Sequence, residues 1–292
     1  MAQTRRNILL SLIGITVAGG LLYVSLRPEP IPVDLHSIER GTLTIRHLPE
    51  RNELLCEIDL PGSHRLIRLV DRVRRLFDLN ADPLEIERCL RRDDQLADAV
   101  QRRPGLRVPG AWDPFEIAVR AVVGQQISLR AATSVMGKIA QRFGVFADGR
   151  RYFPAPQSLT EAQEGDLPMP RARAAAVRAL SRQVLDGTVD FGAGDPSVLV
   201  EQLMHIKGIG PWTAQYVAMR AADDPDAFLH GDLVLLRVAR DRLGVCSAAE
   251  LRRRAEAWRP WRAYAAMHLW STPTATTASR SRIAGRTTGD SR

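Results

Sequence analysis

From Leu54 to Asp59 the chain alternates apolar and polar positions, Leu-Leu-Cys-Glu-Ile-Asp, which is the two-residue period of a half-buried strand. Beyond His64 the period lengthens: Leu66, Leu69, Val73, Leu76 and Phe77 recur at helical spacing. Helical patterns then dominate, over residues 114–127, 129–144, 170–187, 196–206, 211–221, 232–244, 248–258 and 259–270, several of them closed by glycine. The pattern predicts a mainly α body, preceded by a short stretch that includes a strand. No period of 20–50 residues recurs, which excludes a solenoid.

The first residues obey a different rule. After Arg5 and Arg6 comes an uncharged apolar run from Ile8 to Leu26, then Arg27-Pro28-Glu29-Pro30. Its length and hydropathy predict a membrane-spanning helix, and the lack of a small-residue cleavage site favours an anchor over a removed signal peptide. Residues 1–46 resemble the start of a periplasmic adaptor protein. Positive charge at the N-terminus would export the downstream residues, away from chromosomal DNA. Either a foreign or misassigned start is joined to the helical body, which we favour, or the chain is tethered to the inner membrane with that body in the cytoplasm. Residues 272–292 contain almost no large apolar side chain and are expected to form a disordered basic tail.

Candidate chemistry concentrates between Leu203 and Asp232. The Gly208-Ile209-Gly210 turn joins two helical runs, and Pro211 suits a first helical position because it has no N–H to leave unpaired. Amides at such a helix start attract an anion, and glycine lets a phosphate approach. The same turn also serves many helical hairpins that bind nothing. Downstream, Asp232 precedes an apolar helical repeat, so it is a helix cap, a functional carboxylate, or both.

The segments RLFDLNADP, RRPGLRVPGAWDPFEIAVRAVVGQQIS, IKGIGPWTAQYVAMR, DAFLHGDLVLLRVA and EAWRPWRAYAAMHLW occur in order between about Leu76 and Trp270. In them the chain resembles the 3-methyladenine DNA glycosylase II (AlkA-type) branch of the helix-hairpin-helix DNA glycosylases. The resemblance implies a fold of two helical lobes with the substrate groove between them, behind a truncated N-terminal α/β portion. Together with the patterns at the two ends, it divides the chain into an anchor and adaptor-like segment at 1–46, an α/β remnant at 47–105, a catalytic domain at 106–271 and a tail at 272–292. It also implies roles: Asp232 as the catalytic carboxylate, Trp212, Tyr216 and Trp270 as the base pocket, and Gln125, Gln126, Lys207, Gly208, Ile209, Gly210 and Thr213 at the DNA. Backbone carbonyls of Met204, Ile206 and Ile209 would hold a monovalent cation, with no other cofactor required. The implied partner of this monomer is double-stranded DNA carrying alkylated bases, and the implied place is the nucleoid.

Physical chemistry supports such a reaction. A base inside a duplex must be rotated out before an enzyme can act on it. Alkylation at a ring nitrogen makes a purine cationic, which suits an aromatic-walled pocket and a single carboxylate near the sugar. Lyase members of the superfamily carry a lysine where this chain has Trp212, so strand cleavage is not expected. Related endonucleases hold a four-cysteine iron–sulfur cluster, whereas this chain has 3 cysteines, Cys56, Cys89 and Cys246, far apart. His205, His230 and His268 lack the close spacing of a zinc site.

In the duplex-entering loop, Gln125 matches a family glutamine and Gln126 stands where an apolar wedge is common; Leu233 replaces a tyrosine found in some members. The net charge of +8, mostly arginine, suits phosphate contacts. Two rival readings are a non-catalytic helix-hairpin-helix DNA-binding protein and a membrane-anchored, inactive glycosylase-like protein.

Overall fold

The computed structural model describes residues 4–11, 31–34, 40–60, 66–147, 149–163 and 165–272. The predicted tail falls outside them from residue 273 onward. Strands β1 (Thr4–Ser11), β2 (Ile31–Asp34), β3 (Arg40–Leu48) and β4 (Glu53–Leu60) form an antiparallel sheet in the order β1-β4-β3-β2. The alternation read at Leu54–Asp59 is β4. Its Leu54, Cys56 and Ile58 share a face with Leu43 and Ile45 of β3, Leu43 opposite Ile58 and Ile45 opposite Cys56. That face is covered by Leu69, Val73 and Leu76 of helix α1 (Leu66–Leu76).

The membrane-spanning helix expected at Ile8–Leu26 is overturned. Ile8, Leu9, Leu10 and Ser11 lie in β1, paired with Cys56, Leu55, Leu54 and Glu53, and residues 12–30 fall outside the described residues. Among the described residues no helix is long and apolar enough to cross a membrane. Hydropathy counts apolar residues without fixing their geometry, and a run of isoleucine and leucine suits a sheet as well as a helix. Here β4 supplies the backbone partners that a spanning helix would have supplied itself.

The helical body comes next: α2 (Pro83–Leu90), α3 (Asp94–Arg102), α4 (Pro114–Val123) and α5 (Leu129–Phe143), then a small hairpin of β5 (Phe146–Ala147) and β6 (Arg150–Arg151). After it come α6 (Pro156–Thr160), α7 (Arg171–Leu185), α8 (Pro196–Met204), α9 (Pro211–Ala221), α10 (Leu233–Leu243), α11 (Ala248–Ala255) and α12 (Arg262–Trp270). Three starts use one device. Asp82, Asp113 and Asp195 each accept a backbone N–H of the first turn while the following proline takes the first helical position. The run expected to be helical to Ile127 stops at Val123, and Gly124 caps it. That early stop frees Gln125 and Gln126 to form a loop.

These helices share one core, with Leu180, Leu199, Leu203, Val217, Leu235 and Trp258 inside it. Two carboxylates join distant parts of the chain. Asp93 accepts from Arg254 Nη2 at 2.7 Å and Trp258 Nε1 at 2.8 Å, fastening the start of α3 to α11 and the segment after it. Asp78, just after α1, accepts from Tyr264 Oη at 2.8 Å and the Val108 amide at 3.0 Å, fastening the sheet layer to α12.

His268, also on α12, is 1% exposed, and burial pushes its imidazole down to about 4 from an ordinary 6.5. The folded ring therefore stays neutral over a range in which the unfolded ring takes up a proton. Stability present above pH 6.5 is lost as the pH falls towards 4, by on the order of 3 kcal/mol in all. Asp78 acts in the opposite sense, because burial raises its carboxyl to about 6 and acid relieves that penalty. Urea midpoints of the wild type and His268→Gln at pH 7, 6 and 5 separate the two. The stability of the wild type relative to the variant should fall as the pH drops. A constant difference would refute the assignment to His268.

Candidate active site

The hairpin between α8 and α9 is built on one glycine conformation. Gly208 has φ of 97°, a region open to glycine and strained for other residues, and a Cβ there would lie 3.0 Å from the Ala176 Cβ of α7. Close packing of the turn on α7 therefore adds a second requirement for glycine. Ile206 and Ile209 are buried and anchor the turn, while Lys207 and Gly208 are exposed. Gly210 is the N-cap of α9 and Pro211 its first residue, so no cap side chain covers the first-turn amides. The exposed amide-rich turn and Lys207 together suit a phosphate.

Asp232 is the N-cap of α10, and its side chain also faces the aromatic residues. Its Oδ1 accepts the Leu235 amide at 2.8 Å and Trp270 Nε1 at 3.0 Å, and its Oδ2 accepts Trp212 Nε1 at 3.0 Å. The two readings of Asp232, cap and functional carboxylate, are thus compatible in one side chain. A carboxylate offers roughly four acceptor positions. Three are taken, and the open one is on Oδ2. All three donors are N–H groups from separate elements, and together they fix the plane of the carboxylate.

Trp212 and Trp270 are each half-buried. Trp212 stacks on Tyr216, with ring centroids 5.3 Å apart and planes 7° from parallel. Tyr216 is only 6% exposed, so it backs Trp212. Arg220 lies beneath it, 4% exposed, its guanidinium 5.7 Å from the Tyr216 ring centre and Nη1 3.4 Å from the Tyr216 hydroxyl. Leu233 and Val234 stand exposed beside Asp232 at 77% and 50%. The structure brings Asp232, Trp212 and Trp270 into direct contact, with Tyr216 behind them.

The remaining expected residues lie around the hairpin. Thr213 is 2% exposed, and its hydroxyl accepts from Gln125 Nε2 at 3.0 Å. Gln126 is exposed with φ of 56°. Met204 ends α8, where closing carbonyls have no amide ahead of them within the helix, and the Ile206 carbonyl accepts the Ile209 amide at 3.0 Å. His205, His230 and His268 do not converge, and among the described residues no group of three or more His, Cys, Asp or Glu could hold a metal ion. Sequence reasoning missed the indole donors on Asp232 and the support from Arg220. The spacing of Tyr216 and Arg220, four apart on one helix, was the only local signal for the latter.

Residues 32–113 match the AlkA N-terminal domain, and residues 119–263 match the HhH-GPD superfamily base excision DNA repair protein. Over 231 residues the chain is 38% identical to the probable bifunctional transcriptional activator/DNA repair enzyme AlkA of Mycobacterium tuberculosis, a match covering 77% of this chain and 46% of that protein. The chain thus spans about half the length of that relative. It is also 38% identical over 208 residues to DNA-3-methyladenine glycosylase 2 of Escherichia coli, covering 69% of this chain and 70% of that one. Among solved structures, the 3-methyladenine DNA glycosylase from Archaeoglobus fulgidus shares the fold, with a TM-score of 0.67 at 22% identity over 82% of this chain and 85% of that chain.

Proposed function

The chain belongs to the AlkA-type DNA-3-methyladenine glycosylases of the HhH-GPD superfamily, and from that premise we propose that it hydrolyses the N-glycosidic bond of alkylated purines in double-stranded DNA. The observation that carries this reading is the carboxylate of Asp232 held between two indole N–H groups and a helix amide. The hairpin amides and Lys207 grip the backbone, and the loop at Gln126 occupies the space of the extruded nucleotide. The cationic base lies against Trp212 and Trp270, where cation–π attraction contributes about 0.5–2 kcal/mol.

A base already carrying positive charge leaves without much help from an acid. As the bond breaks, positive charge develops on the sugar, and the fixed negative charge of Asp232 stabilises it. The open lone pair on Oδ2 orients the attacking water. With Trp212 in place of an amine there is no Schiff base, so the product is an abasic site in an intact strand. Carbonyls of Met204, Ile206 and Ile209 would hold a monovalent cation, which would supply charge for a neighbouring phosphate. Such an enzyme works with the chromosome in the nucleoid.

Methylated duplex DNA incubated with the protein tests this directly. Free 3-methyladenine or 7-methylguanine should appear together with alkali-labile sites, and strands should stay whole until alkali is added. Tight duplex binding without base release would leave only a binding module.

A further inference from the structure

Gln125, expected at the DNA, turns its side-chain amide nitrogen to the protein. Its Nε2 lies 2.9 Å from the Gly208 carbonyl and 3.0 Å from Thr213 Oγ1. A backbone carbonyl can only accept, so the amide orientation is fixed by chemistry, and both hydrogens of Nε2 are committed to the hairpin. The main-chain carbonyl of Gln125 in turn accepts Arg173 Nη2 of α7 at 2.7 Å. Gln125 is therefore held at both ends. Gln126, the next residue, is exposed and has a left-handed backbone with φ of 56°, uncommon for a residue with a side chain.

We infer that Gln125 is a positioning residue: it braces loop 124–128 against the hairpin, so that gripping the backbone and inserting Gln126 into the base stack form one rigid operation. This rests on the reading of that loop as the element that enters the duplex. Without the brace, the loop and the hairpin would each have to find the DNA separately. Arg173 extends the brace to α7, on which Gly208 packs.

The test is a duplex with an abasic analogue opposite 2-aminopurine, whose fluorescence reports insertion whether or not any base is released. Gln125→Glu keeps the size of the side chain but turns a carboxylate towards the Gly208 carbonyl; Gln125→Met, a second variant, simply removes the donors. Either should bind the duplex yet give less than about half of the wild-type fluorescence change. Gln126→Ala should give a similar loss, and combining it with Gln125→Met should add nothing, because residues acting through one another are not additive. Full fluorescence change in both Gln125 variants, or losses that add, would overturn the inference. Failure of the wild type to release methylated bases while the fluorescence change persists would strike the glycosylase reading alone.

Discussion

Asp232→Asn should lower the single-turnover rate of base release by at least about 10²–10³-fold, the scale expected when a preorganised charge facing a transition state is removed. Duplex affinity should stay within about threefold, because the turn at Gly208 is set by its own backbone and by packing on α7, and beside that turn Asp232 bonds only the indole of Trp212. Two effects combine in the variant. The negative charge is lost, and the amide cannot match the donors around it. Oδ1 meets two N–H groups, so the amide oxygen takes that side. The NH2 group is then left against Trp212 Nε1, donor to donor. Released base quantified by chromatography, alongside binding isotherms, separates rate from affinity. Parallel loss of both would mean that Asp232 is only the cap of α10.

The second large effect is expected at Trp212. Its indole is the donor on Oδ2, the oxygen with the open lone pair, and its ring lies flat on Tyr216. Trp212→Phe retains an aromatic face and deletes the N–H. A hydrogen bond to a charged group contributes about 1.5–3 kcal/mol, so base release should slow by about 10–100-fold. The loss should appear in the rate at saturating enzyme. Were Trp212 only a wall for the base, the change would appear in substrate affinity and leave the saturated rate intact. Tyr216→Phe is the contrast: it keeps the stack and loses only the hydroxyl contact with Arg220, so the saturated rate should change by less than about threefold.

Much of this architecture can be read along the chain. The Asp-Pro pairs at Asp82, Asp113 and Asp195 announce helix starts because cap and first position have separate chemical requirements, and each residue meets one. The hairpin is legible for the same reason: glycine is the residue that suits the backbone at Gly208. What escaped was set by contacts between distant segments. The apolar run beginning at Ile8 reads as a spanning helix until β4 is seen beside its first residues. The bond from the Gln125 amide to the Gly208 carbonyl, far along the chain, has no local signal at all. Asp232 could be assigned a role from the family pattern, but the indoles of Trp212 and Trp270 that hold it come from two other helices. Local rules name the residue types, and tertiary packing decides which atoms face one another.

If a fixed anionic Asp232 stabilises positive charge on the deoxyribose, the protein should distinguish a charged sugar from a neutral one of the same shape. The direct measurement compares affinity for a duplex containing a cationic pyrrolidine in place of the sugar with affinity for one containing a neutral tetrahydrofuran, in the wild type and in Asp232→Asn. The wild type should prefer the cationic duplex by about tenfold or more, and the variant should bind the two alike. Equal affinities in the wild type, or a preference that survives in the variant, would contradict the account.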